Sequence, residues 1–261
     1  MRIPFVKCSG TGNDFILIDD RNRSFPENDT TLVQAMCDRH FGIGSDGLML
    51  LRNHSDCDFE MIFYNPDASQ SLCGNGSRCA VRFAKELGLT REEGTFTTTD
   101  GLHSYRFEEN GEVEISMSDV SSVKSFGGMD FVNTGSPHLI INRENLDSID
   151  ILDEGRKWRK DQRFAESGGT NVNFVQDVDS NTLRIRTYER GVEAETLSCG
   201  TGVTAAALAK KKSEPGIHLI TVKTEGGTLR VGFSNSENGF SAIKLTGPVL
   251  KIFEGVYDVG E

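Results

Sequence analysis

Two short segments of this chain carry the same arrangement of reactive and permissive residues. Cys73-Gly74-Asn75-Gly76 and Cys199-Gly200-Thr201-Gly202 each set a thiol ahead of two glycines, and each runs into an apolar stretch at helical spacing. The first backbone N–H groups of a helix lack intrahelical partners, and the aligned peptide dipoles leave partial positive charge there, so an anion is favoured at that point. Glycines let a ligand approach the backbone, and a carboxylate or phosphate can then be held without a basic side chain. A cysteine at the same spot has its thiolate favoured, which lowers its pKa from about 8.5.

A lone cysteine near a helix start is most often a small buried hydrophobe, and Cys8, Cys37, Cys57 and Cys79 are read that way. A matched pair allows more. If Cys73 and Cys199 face each other, one carboxylate lies between two helix N-termini while its α-carbon lies between two sulfurs. Inverting a stereocentre with an acidic C–H needs a base on one face and an acid on the other, and a thiolate/thiol couple fills both roles with no cofactor logically required. The competing reading is a glycine-rich phosphate cradle. It lacks the Lys-Ser/Thr of a P-loop, and no strand-Gly-x-Gly-x-x-Gly-helix fingerprint is present.

The elements that must position these residues recur in the chain. Phe63-Tyr64-Asn65 matches Thr187-Tyr188-Glu189, Thr99-Asp100-Gly101 matches Thr224-Glu225-Gly226, and Thr11-Gly12-Asn13-Asp14 resembles Thr134-Gly135-Ser136-Pro137, all in one order at near-constant spacing. A duplicated domain follows. The boundary is expected near the serine-rich stretch Ser116 to Ser125, the linker candidate. Alternating runs predict strands at Phe59–Tyr64, Leu183–Tyr188, Glu112–Met117 and Leu229–Phe233. Helices are expected from the Asp29 cap to Phe41-Gly42, over Leu152–Phe164, and over Ser77–Leu87 and Val203–Lys212 after the two cysteine motifs. Trp158 should face inward, with Arg156, Lys157, Arg159 and Lys160 outward as a solvated face. The helices after the cysteines are apolar around most of their circumference, so each should be wrapped by a curved sheet. The fold class is therefore α+β, in two pseudo-symmetric domains of one design, with the site expected in the interdomain cleft.

Composition limits the partners. The 261 residues are 36% apolar and 26% charged, an ordinary balance for a folded chain of two domains or one large one. Lys and Arg number 28 against 39 Asp and Glu, a net charge of −11, which argues against nucleic acid. No run approaches the roughly 20 apolar residues that cross a bilayer and the first residues lack a signal peptide's apolar core, so a cytosolic protein with no membrane partner is expected. The six cysteines are read as thiols, and the five scattered histidines lack metal-ligand spacing, so no metal is expected.

The cysteine segments, with Gly12-Asn13-Asp14-Phe15, Asp38-Arg39-His40-Phe41-Gly42-Ile43-Gly44, Tyr64-Asn65-Pro66-Asp67, Gly135-Ser136-Pro137-His138, Asn171-Val172-Asn173-Phe174 and Tyr188-Glu189-Arg190-Gly191, resemble the diaminopimelate epimerase family over essentially the whole chain. The resemblance implies a PLP-independent two-base epimerase that converts LL-diaminopimelate to the meso form in lysine and cell-wall precursor biosynthesis. It implies two domains, 1–120 and 121–245, each a mixed β-barrel around a central helix, with 246–261 returning to the first. It also points to a homodimer. By the family pattern Cys73 and Cys199 are the acid/base pair, and Gly74, Asn75, Gly200 and Thr201 hold the reacting carboxylate. Asn13, Asn65, Asn171, Glu189 and Arg190 hold the remaining polar ends; Arg190 offers a planar fork for a carboxylate and Glu189 a counter-charge for an ammonium. Standing alone, Glu189-Arg190 reads as an exposed ion pair between neighbours, and Glu193 and Glu195 are left as surface charge. His138 matches a family histidine beside the site, either tuning a thiol's protonation or serving the structure. Gly47 stands where some relatives carry glutamine, and Ser136 where many carry asparagine, so the contacts of those side chains are in question. The alternatives are a cofactor-independent racemase of proline or hydroxyproline and a non-enzymatic thiol redox protein.

Overall fold

A computed structural model describes residues 1–71 and 73–260. The chain divides into two compact units, Met1–Ile115 with Gly247–Glu261, and Ser116–Thr246.

The first unit begins with β1 (Arg2–Gly10) and β2 (Asn13–Asp19), followed by α1 (Thr30–Cys37), β3 (Gly47–Arg52) and β4 (Phe59–Tyr64). Next come α2 (Gly74–Glu86), β5 (Glu93–Thr98), β6 (Gly101–Phe107) and β7 (Val113–Ser116). The second unit holds β8 (Lys124–Phe126), β9 (Met129–Asn133), β10 (Pro137–Asn142), α3 (Ile151–Arg159), β11 (Asn171–Asp177), β12 (Thr182–Glu189) and β13 (Ala194–Thr196). It continues with α4 (Gly200–Lys210), β14 (Gly216–Thr224), β15 (Gly227–Ser236) and β16 (Gly239–Gly247), and β17 (Leu250–Asp258) then completes the first unit.

Pairing makes the duplication explicit. In the first unit the order is β17-β1-β2-β3-β4-β5-β6-β7, with β2–β3 and β4–β5 parallel and the other neighbours antiparallel. The second unit repeats it as β8-β9-β10-β11-β12-β14-β15-β16, with β10–β11 and β12–β14 parallel. The short β13 is added antiparallel to β12. The fold is thus α+β, two units of one design.

Each sheet curls about one helix. α2 packs against β1, β2, β3 and β4, and α4 against strands from β9 to β15. Cys79, Ala80, Val81 and Ala84 on α2, and Ala205, Ala207 and Leu208 on α4, are fully buried. Small side chains suit this place, because a helix enclosed on most sides leaves little room between its backbone and the strands. Burial pushes the Cys8 thiol up to about 12 and raises those of Cys37 and Cys79, so these buried sulfurs stay protonated at neutral pH. No helix among the described residues is long and apolar enough to cross a membrane.

Four local expectations are corrected. α1 stops at Cys37 because the Asp38 carboxylate accepts the N–H groups of His40 and Phe41, each at 2.7 Å, and turns the chain out of the helix. The helix expected to reach Phe164 ends at Arg159; Asp161 accepts the Arg163 N–H at 3.0 Å and opens a separate 3-10 turn over Gln162–Ser167. The serine-rich stretch is no loose linker. Its buried Met117 donates to the Ile243 carbonyl at 2.8 Å, and Val120 exchanges backbone bonds of 2.9 and 2.8 Å with Phe240. Finally, the central helices begin at Gly74 and Gly200, so the motif glycines lie in the first turn instead of ahead of it.

Candidate active site

In the first unit Cys73 is the residue that caps α2, and its Sγ accepts the Gly76 N–H at 3.4 Å. A Cβ at Gly76 would meet Met49 Sδ at 3.3 Å, a close contact with a flexible side chain. Cys73 is half-buried, and its sulfur lies 3.9 Å from Asn13 Oδ1. The same oxygen accepts Asn75 Nδ2 at 3.5 Å, so the structure gathers Asn13, Cys73 and Asn75 at one helix start. Asn13 follows a tight turn in which Thr11 and Gly12 both have positive φ, 59° and 86°. Its amide donates to Asp46, which is clamped in turn by Arg39 at 2.6 Å. Arg39 and Lys7 also grip Asp14, at 2.7 and 2.6 Å. Burial opposes ionisation of Asp14, yet these two cations hold its carboxyl below the usual range.

The second unit repeats the start and changes the polar groups around it. Cys199 is buried and caps α4. Its Sγ and Thr201 Oγ1 are 3.4 Å apart, and either atom can donate. One contact therefore serves a thiol, which donates, and a thiolate, which accepts. Thr201 Oγ1 lies 2.9 Å from His138 Nε2, and the Thr201 carbonyl accepts Thr134 Oγ1 at 2.9 Å. Asn173 Nδ2 donates to the Leu139 carbonyl and faces His138 Nδ1, both at 3.1 Å, while Asn173 Oδ1 accepts Thr187 Oγ1 at 3.0 Å. A carbonyl only accepts, which fixes the Asn173 amide; its donor then leaves Nδ1 unprotonated and puts the ring proton on Nε2, aimed at Thr201. Burial, seconded by the Arg190 charge, pushes His138 down to about 3, so the ring is neutral. Gly202 seats α4 on this network: a Cβ there would meet Asn173 Oδ1 at 2.5 Å.

The other expected residues sit at or just past strand ends. Asn65, just past β4, is half-buried and its Nδ2 donates to the Ser69 carbonyl at 3.1 Å, Ser69 Oγ at 3.0 Å and Ser71 Oγ at 3.1 Å. Asn171 is buried at the start of β11 and donates to Ser136 Oγ at 2.9 Å and the Pro137 carbonyl at 3.0 Å, while its Oδ1 accepts the Arg190 N–H at 2.8 Å. Ser136, the departure from asparagine, thus has its hydroxyl engaged by Asn171. Glu189 accepts Thr196 Oγ1 at 2.8 Å, and Arg190 Nη1 donates to the Ser167 carbonyl at 2.7 Å.

Glu193 and Glu195 are more than surface charge. Glu193 pairs with Arg159 at 2.9 Å and accepts the Tyr188 hydroxyl at 3.3 Å, and Glu195 takes Arg186 in a fork of two 2.7 Å bonds. Arg159 accordingly points inward, not to solvent with its neighbours, and also holds the Gly168 carbonyl at 2.9 Å. These contacts brace the β12–β13 turn that carries Glu189 and Arg190. The other departure, Gly47, has a steric cause: a Cβ there would lie 2.4 Å from the Phe63 ring and 2.8 Å from the Tyr64 carbonyl, so no larger residue fits. Sequence reasoning passed over Arg78, Asn173 and Thr204. The first lies two residues past the Cys73–Gly76 motif and the second inside the Asn171-Val172-Asn173 motif; burial, which a sequence does not display, is what singles them out.

Known proteins resemble this chain in sequence and in fold. A profile of the family described as Diaminopimelate epimerase matches residues 5–123 and 131–252. The diaminopimelate epimerase of Flavobacterium psychrophilum is 46% identical over 250 residues, spanning 95% of this chain and 97% of that protein. That of Aquifex aeolicus is 38% identical over 277 residues, spanning 96% of both. Among solved structures, a phenazine biosynthesis protein of the PhzF family from Bacillus anthracis superposes with a TM-score of 0.78 at 14% identity, over 99% of this chain and 100% of that one. A hydroxyproline epimerase from Agrobacterium vitis gives 0.72 at 15% identity, over 98% and 91%. At such identities the likeness is one of fold. The sequence match, in contrast, covers nearly the whole chain, and the protein belongs to the diaminopimelate epimerase family.

Proposed function

We propose that this protein converts LL-2,6-diaminopimelate to the meso isomer without PLP, with Cys73 and Cys199 as the acid and base. The observation that carries the reading is the repeated helix start: a cysteine in extended conformation, followed by a first turn of the form Gly-x-Gly, in both units. One sulfur, as thiolate, takes the α-proton, and the electron pair spreads onto the substrate carboxylate. The N–H groups of Gly74, Asn75, Gly200 and Thr201 stabilise that charge; a single well-placed donor of this kind is worth about 10²- to 10³-fold in rate. The other sulfur, as thiol, gives its proton to the opposite face and is left as thiolate, so the pair ends with its protonation reversed. The Cys199–Thr201 contact accommodates both states. Asn13, Asn65, Asn171, Glu189 and Arg190 hold the remaining amino and carboxylate groups. The partner is this small molecule, not nucleic acid, and the reaction serves lysine and cell-wall precursor synthesis in the cytoplasm, in a homodimer.

Incubation with LL-diaminopimelate in deuterated water tests the reading. Loss of the LL isomer with deuterium entering one α-carbon, with no PLP added, is expected. Isomer retained without exchange by folded protein would sink the proposal.

A further inference from the structure

Arg78 is fully buried, and its Nε has no hydrogen-bond partner. The side chain folds back along the first turn of α2. Its Nη2 donates to Thr11 Oγ1 at 2.6 Å and Asn75 Oδ1 at 3.0 Å, and its Nη1 to the Gly74 carbonyl at 3.4 Å. All three acceptors are neutral. The ionisable groups that act on it are the Cys79 and Cys73 thiols on its own helix and Glu112 ahead of β7, and it forms no ion pair with any of them. Burial pushes Arg78 down to about 10, so it remains a cation at neutral pH. A buried cation with no carboxylate against it is costly, so its charge calls for a role beyond packing.

Thr204 holds the same place after the second cysteine. Its Oγ1 donates to the Gly200 carbonyl at 2.9 Å, the counterpart of the carbonyl that Arg78 holds. Matching peptides at the two helix starts are therefore gripped by a charge in one unit and by a hydroxyl in the other. Near Cys73 the opposing carboxylate is Asp46, which reaches the site through Asn13 and is paired with Arg39. Near Cys199 the ring of His138 is neutral, and the cation felt there, Arg190, is half-exposed and screened by water.

We propose that Arg78 is a positioning residue of the reaction: a fixed buried charge that aims Asn75 and the Gly74–Asn75 peptide and makes Cys73 the sulfur that ionises first. This rests on the two-thiol reading above. The charge lowers the energy of the Cys73 thiolate, which also accepts the Gly76 N–H, and polarises the peptide whose N–H meets the substrate carboxylate.

The test is iodoacetamide alkylation of Cys73 and Cys199 without substrate, followed peptide by peptide by mass spectrometry from about pH 5 to about pH 10. Wild-type, Arg78→Lys and Arg78→Met proteins are compared. In the wild type Cys73 is expected to show the lower pH midpoint. Arg78→Met raises that midpoint by about one unit, about tenfold less thiolate at neutral pH, Arg78→Lys raises it less, and Cys199 is unmoved. A wild-type midpoint lower at Cys199, no shift in Arg78→Met, or equal shifts at both sulfurs overturns the inference. The wild-type comparison stands even if Arg78→Met folds poorly. Alkylation is read without turnover, so its failure is separate from failure of the epimerase reading, which the deuterium experiment decides.

Discussion

Cys73 and Cys199 have nearly the same backbone conformation, φ −130°, ψ 106° and φ −124°, ψ 110°, each capping the central helix of its unit. An extended residue at that place folds its side chain back over the first turn, where the unpaired N–H groups point. Their polar surroundings differ: Asn13, Asn75 and Arg78 gather around one helix start, Thr201, His138 and Asn173 around the other. The matched backbone gives both helix starts the same unpaired donors, while the unlike polar groups give each sulfur its own surroundings.

If each sulfur handles one face, Cys73→Ser and Cys199→Ser should each lower kcat by about 10²- to 10⁴-fold, the usual worth of a positioned acid or base. The double variant should lose little more than the worse single one, because the two act as a unit. Wild-type kcat/KM should be bell-shaped in pH, with both limbs belonging to the coupled pair. A serine variant at full speed would remove that sulfur from the mechanism.

His138 makes a prediction about stability. Its pKa is about 3 in the folded protein and near 6.5 when unfolded, so below pH 6.5 the unfolded chain binds the proton more readily. Stability from the neutral ring is whole above about pH 6.5 and drains away at about 1.4 kcal/mol per unit as the pH falls toward 3. Urea unfolding at pH 7 and pH 5 should therefore show about 2 kcal/mol more loss in the wild type than in His138→Gln. Equal losses would mean that His138 titrates normally.

The two motif glycines should respond unequally to alanine. At Gly202 the added carbon meets Asn173 Oδ1 at 2.5 Å and His138 at 3.2 Å, both held in a buried network. At Gly76 its nearest neighbour is the flexible Met49 side chain at 3.3 Å. Gly202→Ala should cost about 1–3 kcal/mol, as overpacking does, and Gly76→Ala less than about 1 kcal/mol. Thermal melts of the two variants are the check; equal costs would contradict the packing argument.

The duplication, the central helices and the cysteine starts were legible because repetition and period are written in residue order. The ends of α1 at Cys37 and of α3 at Arg159 were not, since the side chains of Asp38 and Asp161 turn the chain by local bonds that compete with helical spacing. Gly47 looked like a missing contact and is a packing constraint, because Phe63 reaches it from the neighbouring strand. Nothing in residue order marks Arg78, and only its complete burial sets it apart.

Gly47 gives a second steric prediction. Gly47→Gln, toward the residue some relatives carry, should destabilise by about 1–3 kcal/mol through collision with Phe63. Gly47→Gln with Phe63→Ala should cost less than the two single costs added together, because each change relieves the other. A double-mutant cycle by urea unfolding measures the difference, and simple additivity would refute the proposed contact.

Arg190 bears on which end of the substrate is recognised. Its backbone is anchored by Asn171 and its Nη1 by the Ser167 carbonyl, which sets the planar fork without a carboxylate of the described residues paired to it. If it grips the second carboxylate of diaminopimelate, Arg190→Gln should raise KM at least about tenfold, roughly the loss of one charge-assisted hydrogen bond, and change kcat less. Arg190→Lys should recover little, since an ammonium cannot reproduce the two-pronged contact. Lysine is diaminopimelate without that carboxylate, so any exchange of its α-proton in deuterated water should be equally slow in wild type and Arg190→Gln. Were the substitution to slow lysine and diaminopimelate alike, Arg190 would be supporting the site's structure and another group would have to meet the second carboxylate.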